Sequence, residues 1–310
     1  MKRFALFAIL CYSAFCVAQA PAQLSAPNPM QPPDFVKQGQ QMIRDGKPDD
    51  ALALYEHILR KSPDSVPALN AAGTVLDLEG KGDEARKHFA RAIAIANSPE
   101  AKASAQRAMA MSYAFERNCG KAVEYEQQVF DYYGTKPDFF EQGEIADETA
   151  RVCLDADDLD AAEKWYKIGH DTGLKEPGIK AARQDVWAFR WEHAQARIAA
   201  RRGNKDEAQK HVAAAKAILD KGNIPEQTPF FPYLQAYVAF YSGDYKASLA
   251  GFQQSDQSNP FIQCMTAETY EKLGDKEKAK DYYKKASLAA SHNPPAAYAV
   301  PLAKKKLASM

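Results

Sequence analysis

The chain has 310 residues, 46% of them hydrophobic, and its 40 basic residues balance 40 acidic ones. That balance excludes the electrostatic footprint of a nucleic-acid binder, which gathers Lys and Arg on one face. The length suits a large repeat array or about two ordinary domains.

The chain opens MKRFALFAILCYSAFCVAQA. Lys2 and Arg3 form a positive start, Phe4 to Val17 an apolar run, and Ala18-Gln19-Ala20 an A-x-A cleavage pattern. These parts make a secretory signal peptide, expected over residues 1–22 and removed on export. The cut falls after Ala20 or after Ala22, and both stay open, since the first would leave Pro21 at the new N-terminus. Without Lys2 and Arg3 the balance becomes 38 basic against 40 acidic. The apolar run is short for a bilayer span, and no later stretch approaches the ~20 apolar residues that a span needs. The expected location is therefore periplasmic or secreted, in a bacterium, with no stable membrane span after cleavage.

Residues 23–34, QLSAPNPMQPPD, read as a proline-rich, extended linker. Asp34 is the expected N-cap of the first helix.

From there a pattern recurs seven times. A turn residue is followed five positions later by a small residue, and usually four after that by a large ring. It runs Gly46–Ala51–Tyr55, Gly80–Ala85–Phe89, Asp157–Ala162–Tyr166, Gly203–Ala208–Val212, Gly243–Ser248–Phe252 and Gly274–Ala279–Tyr283, with a degenerate copy at Arg117–Ala122–Glu126. Gly46 suits a left-handed helix end, Ala51 a tight contact, and Tyr55 the space beside it. Gly39 and Gly73 mark places on the first helix where two helices approach closely. The small residues stand at 51, 85, 122, 162, 208, 248 and 279, at intervals of 34, 37, 40, 46, 40 and 31. The long intervals point to a longer loop or lengthened helices around residues 172–187, and to an insertion at 220–230. Apolar positions keep helical spacing throughout. Such recurrence marks a solenoid of helix pairs, which offers a surface rather than a reaction centre. Pro294-Pro295 ends the array, and residues 294–310 follow as a short capping helix with a polar outer face.

Cys11 and Cys16 would leave with the signal, and Cys119, Cys153 and Cys264 remain. An odd count in an exported chain allows one disulfide and one spare thiol. Cys119 on the turn of one repeat and Cys153 on the first helix of the next are the candidate pair. The alternative is three unpaired small core residues.

Over residues 35–293 the chain resembles the tetratricopeptide repeat family, whose unit is two antiparallel helices in 34 residues. The resemblance implies an all-α, right-handed solenoid of about seven helix hairpins, closed by the C-terminal capping helix. It also implies a concave face lined by the first helix of each pair. On that face fall Arg107, Met111 and Phe115, then Glu144, Asp147, Arg151 and Asp155. Next come Arg190, His193, Arg197 and Arg201, and then Phe230, Tyr233, Tyr237, Phe240 and Tyr241. The last row holds Phe261, Glu268 and Lys272.

Two rows are the candidate partner site. Arg190, His193, Arg197 and Arg201 follow helical spacing, as do Tyr233, Tyr237 and Tyr241 beside Phe230. Arginine and tyrosine anchor interfaces, so the site reads as a groove for a peptide carrying acidic and apolar groups. The competing reading pairs Glu144, Asp147 and Asp155 with the basic row as an internal ladder and packs the tyrosines between repeats. No metalloprotease, nucleophile-elbow, phosphate-loop or paired C-x-x-C motif occurs. The sequence therefore points to a non-catalytic scaffold with a protein or peptide partner, and calls for no cofactor, metal or nucleic acid. The runner-up is a module binding an envelope polymer such as glycan or peptidoglycan, and less favoured still is a hydrolase with a composite site.

Overall fold

The computed structural model describes residues 33–310. The signal-peptide reading, Cys11, Cys16 and nearly all of the proline-rich linker lie outside the described residues. Seven helix hairpins follow one another: α1 (Asp34–Arg44) with α2 (Pro48–Lys61), α3 (Val66–Leu78) with α4 (Gly82–Ile95), α5 (Pro99–Phe115) with α6 (Cys119–Gly134), and α7 (Phe139–Asp155) with α8 (Leu159–Gly173). Then come α9 (Ala181–Arg201) with α10 (Lys205–Leu219), α11 (Phe231–Tyr241) with α12 (Tyr245–Gln253), and α13 (Pro260–Lys272) with α14 (Lys276–Ser287). A last helix, α15, runs Pro294–Ala308. Asp34 is the first residue of α1 and makes no capping hydrogen bond; Pro33 precedes it.

Each hairpin turns on one residue at positive φ. Gly46, Gly80, Gly203, Gly243 and Gly274 take this conformation, and Arg117 and Asp157 adopt it without being glycine. The next residue is the N-cap of the second helix. Asn118, Asp158, Asp244 and Asp275 accept a hydrogen bond from a backbone N–H three residues on. The degenerate third copy thus keeps its turn geometry although its residues differ.

The small and ring positions build the joint between the two helices. Ala51, Ala85, Ala122, Ala162, Ala208, Ser248 and Ala279 are all fully buried. Tyr55, Phe89, Tyr166, Val212, Phe252 and Tyr283 are buried beside them, and so is Glu126 in the third copy. A Cβ placed on Gly39 would lie 2.0 Å from the Tyr55 Oη, and one on Gly73 2.6 Å from the Phe89 ring. The ring therefore occupies the volume a side chain would need. The same joint recurs where the sequence pattern did not announce it. Ala110, Ala150, Ala196, Ala236 and Ala267 stand sixteen residues before Glu126, Tyr166, Val212, Phe252 and Tyr283, and all are fully buried.

Helix chemistry follows position. α3 is packed on both sides and buries Ala68, Leu69, Ala71, Ala72, Val75, Leu76 and Leu78, with Gly73 and Asp77. α4 has one side in water and buries only Gly82, Ala85, Phe89 and Ala92, a single stripe at helical spacing. Each large ring so buried contributes about 1.5–3 kcal/mol. The long intervals resolve as both a loop over 174–180 and the 21-residue α9. The 220–230 insertion ends in a 3-10 helix, Pro225–Phe230, which sets Phe230 ahead of α11.

The disulfide alternative is also resolved in the structure: Cys119, at the start of α6, is bonded to Cys153 on α7, with Cα atoms 4.8 Å apart. Cys264 is a free, buried thiol.

The C-terminal helix does more than cap the last hairpin. α15 stacks on α13 and α14 as a cap would, but it also lies against α5, α3 and α7. It buries Ala296, Ala297, Tyr298, Ala299, Val300 and Ala303, and leaves Lys305 exposed. Ala296, Ala297 and Val300 share one apolar cluster with Val75, Leu78, Met111 and Phe115. The reason is that the first helices of the early hairpins present apolar rather than polar side chains inward, so the terminal helix finds its burial there. Lys304 donates to the Leu78 carbonyl at 2.9 Å and pairs with Glu79 at 2.6 Å. The array also meets itself at its ends: Gln40 and Arg44 of α1 and Leu288–Ser291 after α14 line one cavity of about 580 Å³.

Candidate functional site

The first helices α7, α9 and α11 line an open cavity of about 430 Å³. α7 contributes Glu144, Asp147, Glu148 and Arg151, and α9 contributes Phe189, Arg190, His193 and Arg197. Phe230 and Tyr233 come from the start of the sixth hairpin, and Arg107 from α5. Pro294 and Pro295, at the head of α15, close one side. A second cavity of about 380 Å³ shares Arg151, Phe230 and Tyr233 with the first and is walled by Pro229, Phe261 and Ile262.

The predicted site residues divide. Arg190, His193, Arg197, Phe230 and Tyr233 meet in the first cavity. Arg201, Tyr237 and Tyr241 do not line it. Arg201 donates to Asp157 at 2.6 Å and to Tyr237 Oη at 3.2 Å, and lies over the Tyr241 ring at 5.0 Å. Tyr237 is fully buried, and Tyr233 is 7% exposed. The basic row therefore does lie beside the aromatic row, but the tyrosines are core residues rather than an open platform. Their four-residue spacing puts them on one side of α11; that side faces α9 and α13. Phe230 is the exposed ring, at 51%.

The internal ladder is present in part. Arg190 pairs with Glu144 and lies 4.0 Å from Asp147. Arg151 pairs with Asp155 at 2.9 Å on its own helix and lies over the Phe261 ring at 4.2 Å. Arg107, on α5, grips Glu148 through two nitrogens. His193 and Arg201 have no partner among Glu144, Asp147 and Asp155. Sequence reasoning set Arg107, Arg151 and the double proline aside. All three were visible on the concave rows or at the break, but nothing local shows that a distant helix returns to close the cavity.

Withdrawal from water sets the electrostatics. Asp147 keeps about a fifth of its side chain exposed (19%), yet loss of water pushes its carboxyl up to about 7, against the pull of Arg190. Burial drives His193 well below the usual histidine range, and Arg197 and Arg151 add to it, so the ring is neutral. Burial likewise raises the Tyr166 phenol to about 12, keeping it protonated beside Arg197. Nη1 of Arg197, Nε2 of His193 and the hydroxyl of Tyr233 are buried without a hydrogen-bond partner among the described residues.

Chemically this is a small, open pocket of charged and aromatic side chains, with an apolar annex and one exposed ring at the mouth. No helix among the described residues is long and apolar enough to cross a membrane.

Two stretches match models of the tetratricopeptide repeat, at residues 42–108 and 262–293. No curated protein sequence matches the chain. Among solved structures, a Rap protein complexed with Competence and Sporulation Factor is similar at 14% identity and a TM-score of 0.51, covering 89% of this chain and 75% of that one. A tetratricopeptide repeat protein from Parabacteroides merdae is similar at 16% identity and a TM-score of 0.47, over 87% of this chain and 97% of that one. The kinesin light chain-like repeats of Podosopora anserina are similar at 16% identity and a TM-score of 0.48, over 61% and 94%. With seven hairpins built on one repeated joint, and repeat-model matches in both the first and the last of them, the described residues form an all-α array of tetratricopeptide-type repeats.

Proposed function

We propose that this protein is a non-catalytic interaction scaffold of the bacterial cell envelope that holds a peptide segment of another protein in the cavity between α7, α9 and α11. The observation that carries the reading is the set of buried polar groups, Arg197, His193 and Tyr233, turned toward one inner chamber beside an exposed Phe230. Such a chamber sits where the repeat family presents its concave face. The Rap relative, complexed with Competence and Sporulation Factor, is consistent with a partner of this kind, although the likeness is one of fold. The envelope setting is supported by the signal-like start and by the Cys119–Cys153 bond, since disulfides persist in oxidising compartments. The polymer-binding alternative relied on an open row of tyrosines, and Tyr233 and Tyr237 are in the core.

A photocrosslinking residue at Phe230, compared with one at the outlying Lys210, tests the reading in envelope extracts. Protein adducts at position 230 and none at 210 are expected. Equal adducts at both positions would remove the cavity as the binding site, and retention by purified cell wall without protein adducts would favour the polymer alternative. A reporter fused to residues 1–22 tests export separately.

A further inference from the structure

We infer that the cavity contains a carboxylate-binding subsite centred on Arg197, and that the ligand places an apolar side chain in the adjoining annex. This rests on the reading of the cavity as the partner site.

The other cavity arginines are already matched: Arg107 by Glu148, Arg151 by Asp155 and Arg190 by Glu144. Arg197 has no carboxylate within 4.0 Å among the described residues, although it is only 5% exposed. Its Nη2 donates to the Tyr166 hydroxyl at 2.8 Å and its Nε to the His193 carbonyl at 3.3 Å. Its Nη1 has no partner there, and a buried guanidinium in that condition is costly unless an anion completes it. A carboxylate suits the fork of a guanidinium, because two oxygens accept along parallel N–H directions.

The neighbours favour a single negative charge. Tyr233 is 7% exposed with its hydroxyl unpartnered, and can donate to the same group. His193 is 9% exposed, its ring centroid 5.3 Å from that of Tyr233, and its Nε2 is also unpartnered. Glu144, Glu148 and Asp147 line the same chamber, so a doubly charged phosphate would meet more repulsion than a carboxylate. The annex adds the second half of the specificity. Pro229, Phe230, Phe261 and Ile262 form its apolar wall, Arg151, Asp256 and Asn259 complete the lining, and it meets the first chamber at Phe230 and Tyr233. The ligand is thus a peptide in which a carboxylate and a large apolar side chain are close together. The carboxylate is either an acidic side chain or the C-terminus.

Calorimetry with four capped tripeptides tests this on the purified protein. Acetyl-Gly-Glu-Leu-amide against its Gln counterpart reads the side-chain source. Acetyl-Gly-Gly-Leu as acid against amide reads the terminal source. In at least one pair the acid should bind about tenfold more tightly or better, as expected when a buried charge loses its partner. In Arg197→Gln that preference should shrink to less than about threefold, while Arg201→Gln, whose arginine lies outside the cavity, should keep it. The wild-type comparison needs no variant, so it decides even if Arg197→Gln fails to fold. Acid and amide binding alike would overturn the carboxylate subsite and leave the cavity as a binding site. No binding by any of the four would overturn both.

Discussion

His292 Nε2 lies 2.8 Å from Asp77 Oδ2, joining the link before α15 to α3 across 215 residues of chain. The imidazole is stacked on Phe115 at 5.3 Å, and the other oxygen of the buried Asp77 accepts from Ser112 at 2.8 Å. One carboxylate thus ties together the second hairpin, the third and the end of the chain.

Asp77→Ala should therefore leave both His292 and Ser112 short of an acceptor. Unsatisfied buried groups cost about 1–3 kcal/mol each. The expected result is a urea midpoint lowered accordingly. Loss of protection from hydrogen exchange should appear in α15 as well as α3. A loss confined to α3 would show that the tie does not hold the terminal helix.

Glu126 should make stability fall as pH rises. It is fully buried, both oxygens lack a partner, and burial with the nearby Glu148 holds its carboxyl well above the usual range. A carboxyl raised on folding supports the native state below its unfolded value of about 4.3, and that support is lost as pH climbs through the raised value. Glu126→Gln removes the titration. Its midpoint should gain on the wild type between acid and neutral pH, and a pH-independent difference would count against the assignment.

Gly39→Ala should destabilise through collision rather than conformation. The new Cβ meets the Tyr55 Oη at 2.0 Å, and that hydroxyl donates to the Val36 carbonyl at 3.1 Å. Overpacking of this kind costs about 1–3 kcal/mol. Tyr55→Leu in the same chain should recover part of the loss, which a thermal melt of the double variant would show.

Reduction of Cys119–Cys153 should lower the unfolding free energy by about 2–4 kcal/mol, since the bond closes a chain segment with a sequence separation of 34. Both sulfurs are buried, so reductant should act slowly on the native protein and quickly in denaturant. Equal rates in the two conditions would contradict the burial.

What could be read from the chain was local. A residue that tolerates positive φ, a small residue and a ring are each demanded within a dozen positions, so the hairpins and their joints show in the letters. Even Arg117 and Asp157 keep the place that glycine holds elsewhere. The alanines at 110, 150, 196, 236 and 267 serve as Gly39 and Gly73 do, but alanine is common on every helix and does not stand out. The side of α11 that faces its neighbours was not legible, because spacing places Tyr233 and Tyr237 on one stripe without naming what lies opposite. Nor was the path of α15, which depends on apolar surfaces more than 200 residues away. At the site, charge and spacing found Arg197 and His193, while the carboxylates that neutralise Arg190 and Arg107 come from a different helix.

The return of α15 to the opening hairpins also sets an order of events. Residues 294–308 are synthesised long after α3 and α5, yet they cover apolar side chains on both. The early hairpins must wait for α15 before their inner wall is shielded. Such a delay leaves apolar surface uncovered through most of the chain's synthesis.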